Sequence, residues 1–395
     1  MRTTILLLAL LVGVCQGSEE LDANPDIEIG VSTGRAPLTL LDMSTGAACL
    51  DGTPYGFYHV PSKTNSTLWT ISIQGGGWCY NETLCYERSL TRLGSSKFFP
   101  TTSSCGCVNV ENGDIDRDCN CIYMPYGDGA SFSGLREDPW PAPGNKKLYF
   151  RGWKNLEATL DYAFQKLGMA KATQVVLTGG SAGGLSTFLH ADYVAERVRK
   201  EAPLAFTKAM PVVGYFLDHK NFAGTSQSYP AWMDYIYHMQ NLKIPALTSE
   251  CLKAYPSTPY YCFMSPHMHT FIQTPFYMLN SKFDQWQMDN ILQVSCMREK
   301  SACTDSEKAA IVAYGKSFMA DFNSVMQNEK NGAMITSCIC HGCNWNNITL
   351  NGKNTYSHYI DWFESRGSNH FTIDPMGPNG DGKMNLKANN CQQIL

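Results

Sequence analysis

Residues 174–189 read QVVLTGGSAGGLSTFL. An apolar, β-branched run of strand length, Gln174 to Thr178, stops at two glycines. Beyond Ser181, the residues Leu185, Phe188, Leu189 and Val194 recur at helical spacing, with Arg197, Arg199 and Lys200 in the last turns. A strand that turns directly into a helix is half of a parallel βαβ unit. The turn itself, Gly179-Gly180-Ser181-Ala182-Gly183, fits G-x-S-x-G. Its flanking positions leave no room for side chains, which requires glycine and drives the serine hydroxyl outward at a helix N-terminus, where developing negative charge is stabilised. A phosphate loop would need the Walker spacing with Lys, or G-x-G-x-x-G followed by a distant acid, and neither is present. Ser181 is therefore the candidate nucleophile.

The same strand-then-turn pattern repeats outward from this point. LWTISI (68–73) runs into QGGGW (74–78), residues 122–126 run into Gly127-Asp128-Gly129, and PFYMLN (275–280) runs into SKFD (281–284). A helical pattern at Leu156, Leu160, Phe164 and Leu167 lies between the second run and the nucleophile turn. The expected fold class is α/β, with a mainly parallel central sheet flanked by helices. The glycine run after the early strand brings bare backbone amides close to a substrate. Gly77 and Trp78, with Ala182 after the nucleophile, are the candidate oxyanion donors, each worth about 3 kcal/mol in a transition state. Serine is a weak nucleophile without a base, and in hydrolases of this architecture the chain order is Ser, acid, His. Asp284 sits where a parallel strand would end, with Asp218 and Asp289 as competing acids. Beyond it lie His341, His358 and His370, of which His341 stands inside CICHGC (338–343).

Length/150 gives about 2.6 as a domain prior, yet no repeat and no Pro/Ser-rich linker divides the 395 residues. A single domain over 18–395 is expected, with a Cys-rich excursion around 79–121. Lys+Arg 31 against Asp+Glu 35 gives −4, which argues against a nucleic-acid partner. Hydrophobic residues at 44% and charged residues at 17% exclude a disordered chain. Arg2, an apolar run at 5–14 and Cys15-Gln16-Gly17 read as a signal peptide, 1–17. That run is too short for a comfortable span and no later stretch is long enough, so a secreted chain with no membrane anchor is expected. Sequons at Asn65, Asn81 and Asn347 are candidate glycosylation sites. In an oxidising compartment the 16 cysteines read as disulfides. Losing Cys15 leaves 15, so one thiol is free or pairs between chains. Three Cys and one His within 338–343 also suit zinc, but four ligands in six residues are cramped and secretion favours disulfides. No metal and no cofactor is expected.

Taken together, GGGWCYN (75–81), YGDGASFSG (126–134), LYFRG (148–152), GGSAGGL (179–185), IQTPFYMLNSKFDQWQ (272–287) and CICHGC (338–343) resemble the pectin acetylesterase and Notum carboxylesterase family, and are closer to the plant type. The resemblance implies an α/β-hydrolase-like fold and places the nucleophile on Ser181, the acid on Asp284 and the base on His341. Plant members commonly carry Cys before the catalytic serine, where this chain has Gly180, and the stretch 101–121 is unusually rich in cysteine. The implied activity is removal of O-acetyl groups from a polysaccharide such as pectin, by a monomer. Trp286 and Gln287 of the DQWQ stretch are candidate substrate contacts, and Trp78, Trp140 and Trp286 could stack on sugar rings. The alternatives are a deacylase of a lipidated protein, with Met264, Met268, Met278, Phe263, Phe271 and Phe276 around the acyl chain, and a non-catalytic carbohydrate-binding protein that keeps the fold.

Overall fold

A computed structural model describes residues 31–225, 228–242, 248–299 and 301–375. The expected signal peptide, Cys15 and Cys391 lie outside these residues. Ten strands make one sheet: β1 (Val31–Leu40), β2 (Gly56–Val60), β3 (Leu68–Ile73), β4 (Thr102–Cys107), β5 (Asn120–Met124), β6 (Gln174–Gly180), β7 (Phe206–Val212), β8 (Tyr277–Ser281), β9 (Gly332–Thr336) and β10 (Phe371–Ile373). Their order is β10-β9-β8-β7-β6-β3-β5-β2-β1-β4. Pairing is parallel from β10 through β5 and antiparallel from β5 to β4.

Alternation along β6 explains why both faces are covered. Val175 and Leu177 pack with Leu156, Leu160 and Phe164 of one helix and with Val194 and Val198 of the helix after Ser181. Val176 points the other way, into a cluster with Met210, Met334, Tyr359 and Trp362. The helices concerned are α1 (Glu82–Ser89), α2 (Gly152–Lys166), α3 (Ala182–Glu201), α4 (Ser228–Met239), α5 (Asp305–Phe322) and α6 (Thr355–Phe363). α2 carries Leu156, Leu160 and Phe164 of the pattern its periodicity predicts, and Leu167 is its C-cap. α5 starts with a capping box, Thr304 with Glu307, which satisfies two orphan backbone donors at its N-terminus.

The cysteines are largely oxidised. Cys105–Cys121 and Cys107–Cys119 tie β4 to β5 and the turn before it, so the stretch expected as an excursion supplies two strands of the main sheet. Further bonds join Cys79–Cys85, Cys251–Cys262, Cys296–Cys303 and Cys340–Cys343, and Cys338 is disulfide-bonded as well. The sulfurs of the CICHGC stretch are thus bridged, not thiolate. Cys49 is the free thiol among the described residues. Burial pushes its thiol up to about 12, so it is held as an inert, protonated core group. Among the described residues no helix is long and apolar enough to cross a membrane.

Candidate active site

Four parallel strands deliver the site to one edge of the sheet. The loop after β3 carries residues 74–78, β6 ends at Gly180 ahead of Ser181, β8 ends three residues before Asp284, and β9 ends five residues before His341. Parallel strands end on the same side, so these residues converge although 160 positions separate Ser181 from His341.

Ser181 has φ 58° and ψ −125°, a sparsely populated conformation for a residue with a side chain. Close backbone approach enforces it. A Cβ on Gly183 would meet the Ile73 carbonyl, one on Gly179 would meet the Gly183 carbonyl, and one on Gly75 would collide with the Gly180 carbonyl and the Cβ of Ser181. Leu185 N–H donates to the Ser181 carbonyl, so α3 begins directly beneath the serine, and the first amides of a helix have no intrahelical acceptor. Ala182 is the first residue of that helix.

His341 Nε2 lies 2.7 Å from Ser181 Oγ, and His341 Nδ1 lies 2.7 Å from Asp284 Oδ2. Asp284 is fully buried. Its other oxygen accepts the Gln287 backbone N–H at 3.0 Å, capping the single turn Gln285–Gln287. Ser281 Oγ donates to the Cys338 carbonyl, and Lys282 N–H donates to the Thr336 carbonyl at 3.0 Å, so the loop bearing His341 is pinned to the end of β8. The Cys340–Cys343 bond brackets the histidine. An imidazole held in this way accepts a hydroxyl proton at one nitrogen while the carboxylate fixes the other N–H.

A cleft of about 400 Å³ opens over these groups, lined by Gly77, Trp78, Ser181, Trp286 and His341, with Tyr80, Glu87, Trp232, Asp289 and Asn290 farther out. Two side chains that sequence reading missed brace the glycine loop 74–78. The Arg88 guanidinium, buried beneath it, donates to the Gly76 carbonyl through both terminal nitrogens. Ser131 Oγ accepts from the Trp78 indole N–H at 2.8 Å and donates to the Ala182 carbonyl at 2.8 Å. Behind it, His190 Nε2 donates to the Ser131 carbonyl at 2.9 Å. Burial lowers the His190 pKa to about 4, so the ring is neutral and this donor is fixed. Burial also raises the neighbouring Asp128 to about 7. The only forward signal for these residues is the YGDGASFSG stretch, which carries Asp128 and Ser131 but declares no role for them.

Other expected contacts lie elsewhere. Gln287 is buried, its amide bonded to the Leu217 N–H, the Tyr215 carbonyl and the Tyr314 hydroxyl, and it supports Asp284 from behind instead of facing the cleft. Trp140 sits outside the cleft with Arg136 over its ring at 4.2 Å. Met264, Met268, Met278, Phe263 and Phe276 are buried in the core behind α3, with Phe271 packed against them. Asp218 pairs with His267 at 3.1 Å, and His358 bonds the Leu350 carbonyl and Thr372, which removes them from the competition for acid and base. Asn65 is exposed, whereas Asn81 caps α1 by accepting from Leu84 N–H. The side chain of Asn347 lies outside the described residues.

A sequence model of the family described as Pectinacetylesterase matches residues 31–381. The chain belongs to the pectinacetylesterase family. Curated relatives agree: Pectin acetylesterase 11 of Arabidopsis thaliana is 31% identical over 77% of this chain and 79% of its own, and Pectin acetylesterase 5 of the same plant is 29% identical over 81% and 78%. The palmitoleoyl-protein carboxylesterase NOTUM of Schmidtea mediterranea is 25% identical over 81% of this chain and 61% of its own. The fold of this pectinacetylesterase family member matches the crystal structure of the Wnt deacylase Notum from Drosophila, with a TM-score of 0.73 over 85% of this chain and 95% of that one, at 21% identity. The chain is a carboxylic ester hydrolase with the Notum-like α/β-hydrolase fold.

Proposed function

We propose that the chain is a secreted, monomeric serine esterase that removes O-acetyl groups from a polysaccharide such as pectin. One observation carries the mechanism: the Asp284–His341–Ser181 relay, with both hydrogen bonds at 2.7 Å, sits beneath an open cleft. His341 takes the Ser181 proton as Oγ attacks the ester carbonyl. The amides of Gly77, Trp78 and Ala182 hold the oxyanion. His341 returns the proton to the leaving sugar hydroxyl, and water, activated by the same imidazole, releases acetate. Asp284 keeps the ring in the productive tautomer. Relatives named as pectin acetylesterases support the acetyl and glycan parts of this reading. The bridged cysteines and the N-terminal apolar run support passage through an oxidising, secretory compartment.

The test is acetate release from acetylated pectin, set against acetylated xylan and mannan, by wild type and Ser181→Ala. Wild type is expected to release acetate from at least one glycan, with Ser181→Ala lowering kcat by about 10⁴-fold or more while still being secreted. Undiminished turnover in Ser181→Ala overturns the nucleophile, and a wild type inert on every glycan overturns the substrate class.

A further inference from the structure

An acyl chain on Ser181 Oγ needs a dry, apolar recess next to the nucleophile. Beside the His341 ring, that space is already occupied by aromatic side chains. Trp78, Phe216, Tyr229 and Trp286 form a closed cluster in which every ring touches every other, with all pairwise centroid distances between 5.0 and 6.3 Å. Phe216 and Trp286 also abut the His341 ring, at 6.2 and 6.3 Å. Phe216 and Tyr229 are fully buried and back the two tryptophans without lining the cleft themselves. The same cleft also carries Glu87, Gln285, Asp289 and Asn290, polar groups that an aliphatic chain would have to desolvate.

Within the cluster the four rings are not equally fixed. Trp78 is tied by its indole N–H to Ser131, and Phe216 and Tyr229 belong to the core. Trp286 is partly exposed, lines the cleft and stands two residues after Asp284 in the single turn that the acid caps. Its ring lines the open cleft and touches Phe216, Tyr229 and the His341 ring.

We infer that Trp286 is the acyl-length determinant of this esterase: its indole closes the apolar side of the Ser181–His341 cleft and restricts the transferred acyl group to a few carbons. The inference rests on Ser181 being the acyl-accepting residue. It assigns to Trp286 the exclusion of longer chains, and to the open polar rim the leaving alcohol.

The experiment compares p-nitrophenyl acetate, butyrate and octanoate with wild type, Trp286→Ala and Trp286→Leu. The readout is the octanoyl/acetyl ratio of kcat/KM, in which any general loss of activity cancels. Wild type is expected to favour acetyl by at least about tenfold, and Trp286→Ala to raise the octanoyl/acetyl ratio about tenfold or more, as removal of a wall from a recess allows. Trp286→Leu, which keeps an apolar side chain against Phe216, is expected to fall between and serves if Trp286→Ala does not fold. A wild type that prefers octanoyl, or folded variants with the wild-type ratio, overturns the inference while leaving Ser181 as nucleophile. A wild type inert on all three esters overturns the nucleophile and the inference together.

Discussion

Gly75, Gly179 and Gly183 press main chain against main chain around Ser181, whereas Asp284 and His341 reach the same point on loops tied by side-chain hydrogen bonds and a disulfide. The serine half has no slack, since the groups a Cβ would meet are carbonyls of two central strands and of the first turn of α3. The acid–base half is tethered, so its tethers can be loosened one at a time. The difference teaches that equal hydrogen-bond lengths on the two sides of His341 are reached by unequal means, and it predicts unequal responses to substitution.

The largest effect is expected from Gly75→Ala. The added methyl meets the Gly180 carbonyl and lies 2.9 Å from Ser181 Cβ, so the glycine loop 74–78 or Ser181 must move. A displacement of that order lowers kcat by about 10²-fold or prevents folding altogether. The yield of folded protein and p-nitrophenyl acetate turnover report it, and near-normal values for both would break the contrast between the halves.

A smaller and graded effect is expected from the double change Cys340→Ser, Cys343→Ser. The bond spans a separation of only 3 residues, and the chain-entropy account gives it about 2 kcal/mol of stability. Its greater consequence is the freedom it restores to His341, so kcat should fall about tenfold while KM stays close to wild type. A large drop in melting temperature with kcat preserved would instead make the bond a stability element.

The smallest effect concerns two titrating groups behind the serine half. His190 is lowered to about 4 by burial. Between there and the ordinary value near 6.5, the unfolded chain binds a proton that the native one refuses, so this group makes stability fall as pH drops through that window. Asp128 is raised to about 7, also by burial. From its ordinary range near 3.8 up to that value, the native state holds a proton that the unfolded chain releases, so this group makes stability fall as pH rises. The two oppose each other where they overlap. His190→Gln should therefore leave a urea midpoint that declines from pH 4.5 to 6.5, and Asp128→Asn one that climbs. Identical pH slopes in both variants would remove these residues from the argument.

The strand-to-helix segment at 174–189, the glycine run at 74–78 and the short acid-bearing run before Asp284 were legible because each is a local steric or periodic signal. Asp284 and His341 were separable from Asp218, Asp289, His358 and His370 only through resemblance, since position in the chain says little about which loops share an edge. Arg88 and His190 gave no local sign and the stretch carrying Ser131 gave none of its role, because what they do depends on a carbonyl or indole brought to them from elsewhere. Gln287 was misplaced for the same reason: next to a cleft-lining tryptophan in sequence, it points into the core in space.

By itself, then, the sequence determined the α/β class, the nucleophile turn and the disulfide-bearing character of the chain, because β-strand runs, glycine-only turns and cysteine counts act over a few residues at a time. Tertiary structure alone decided which thiol among the described residues stays free, which side chains brace the glycine loop 74–78 and that four aromatic rings cluster beside His341. Those facts depend on contacts among residues far apart in the chain, as between Trp78, Phe216 and Trp286, and only packing of the whole sheet and its helices brings them together.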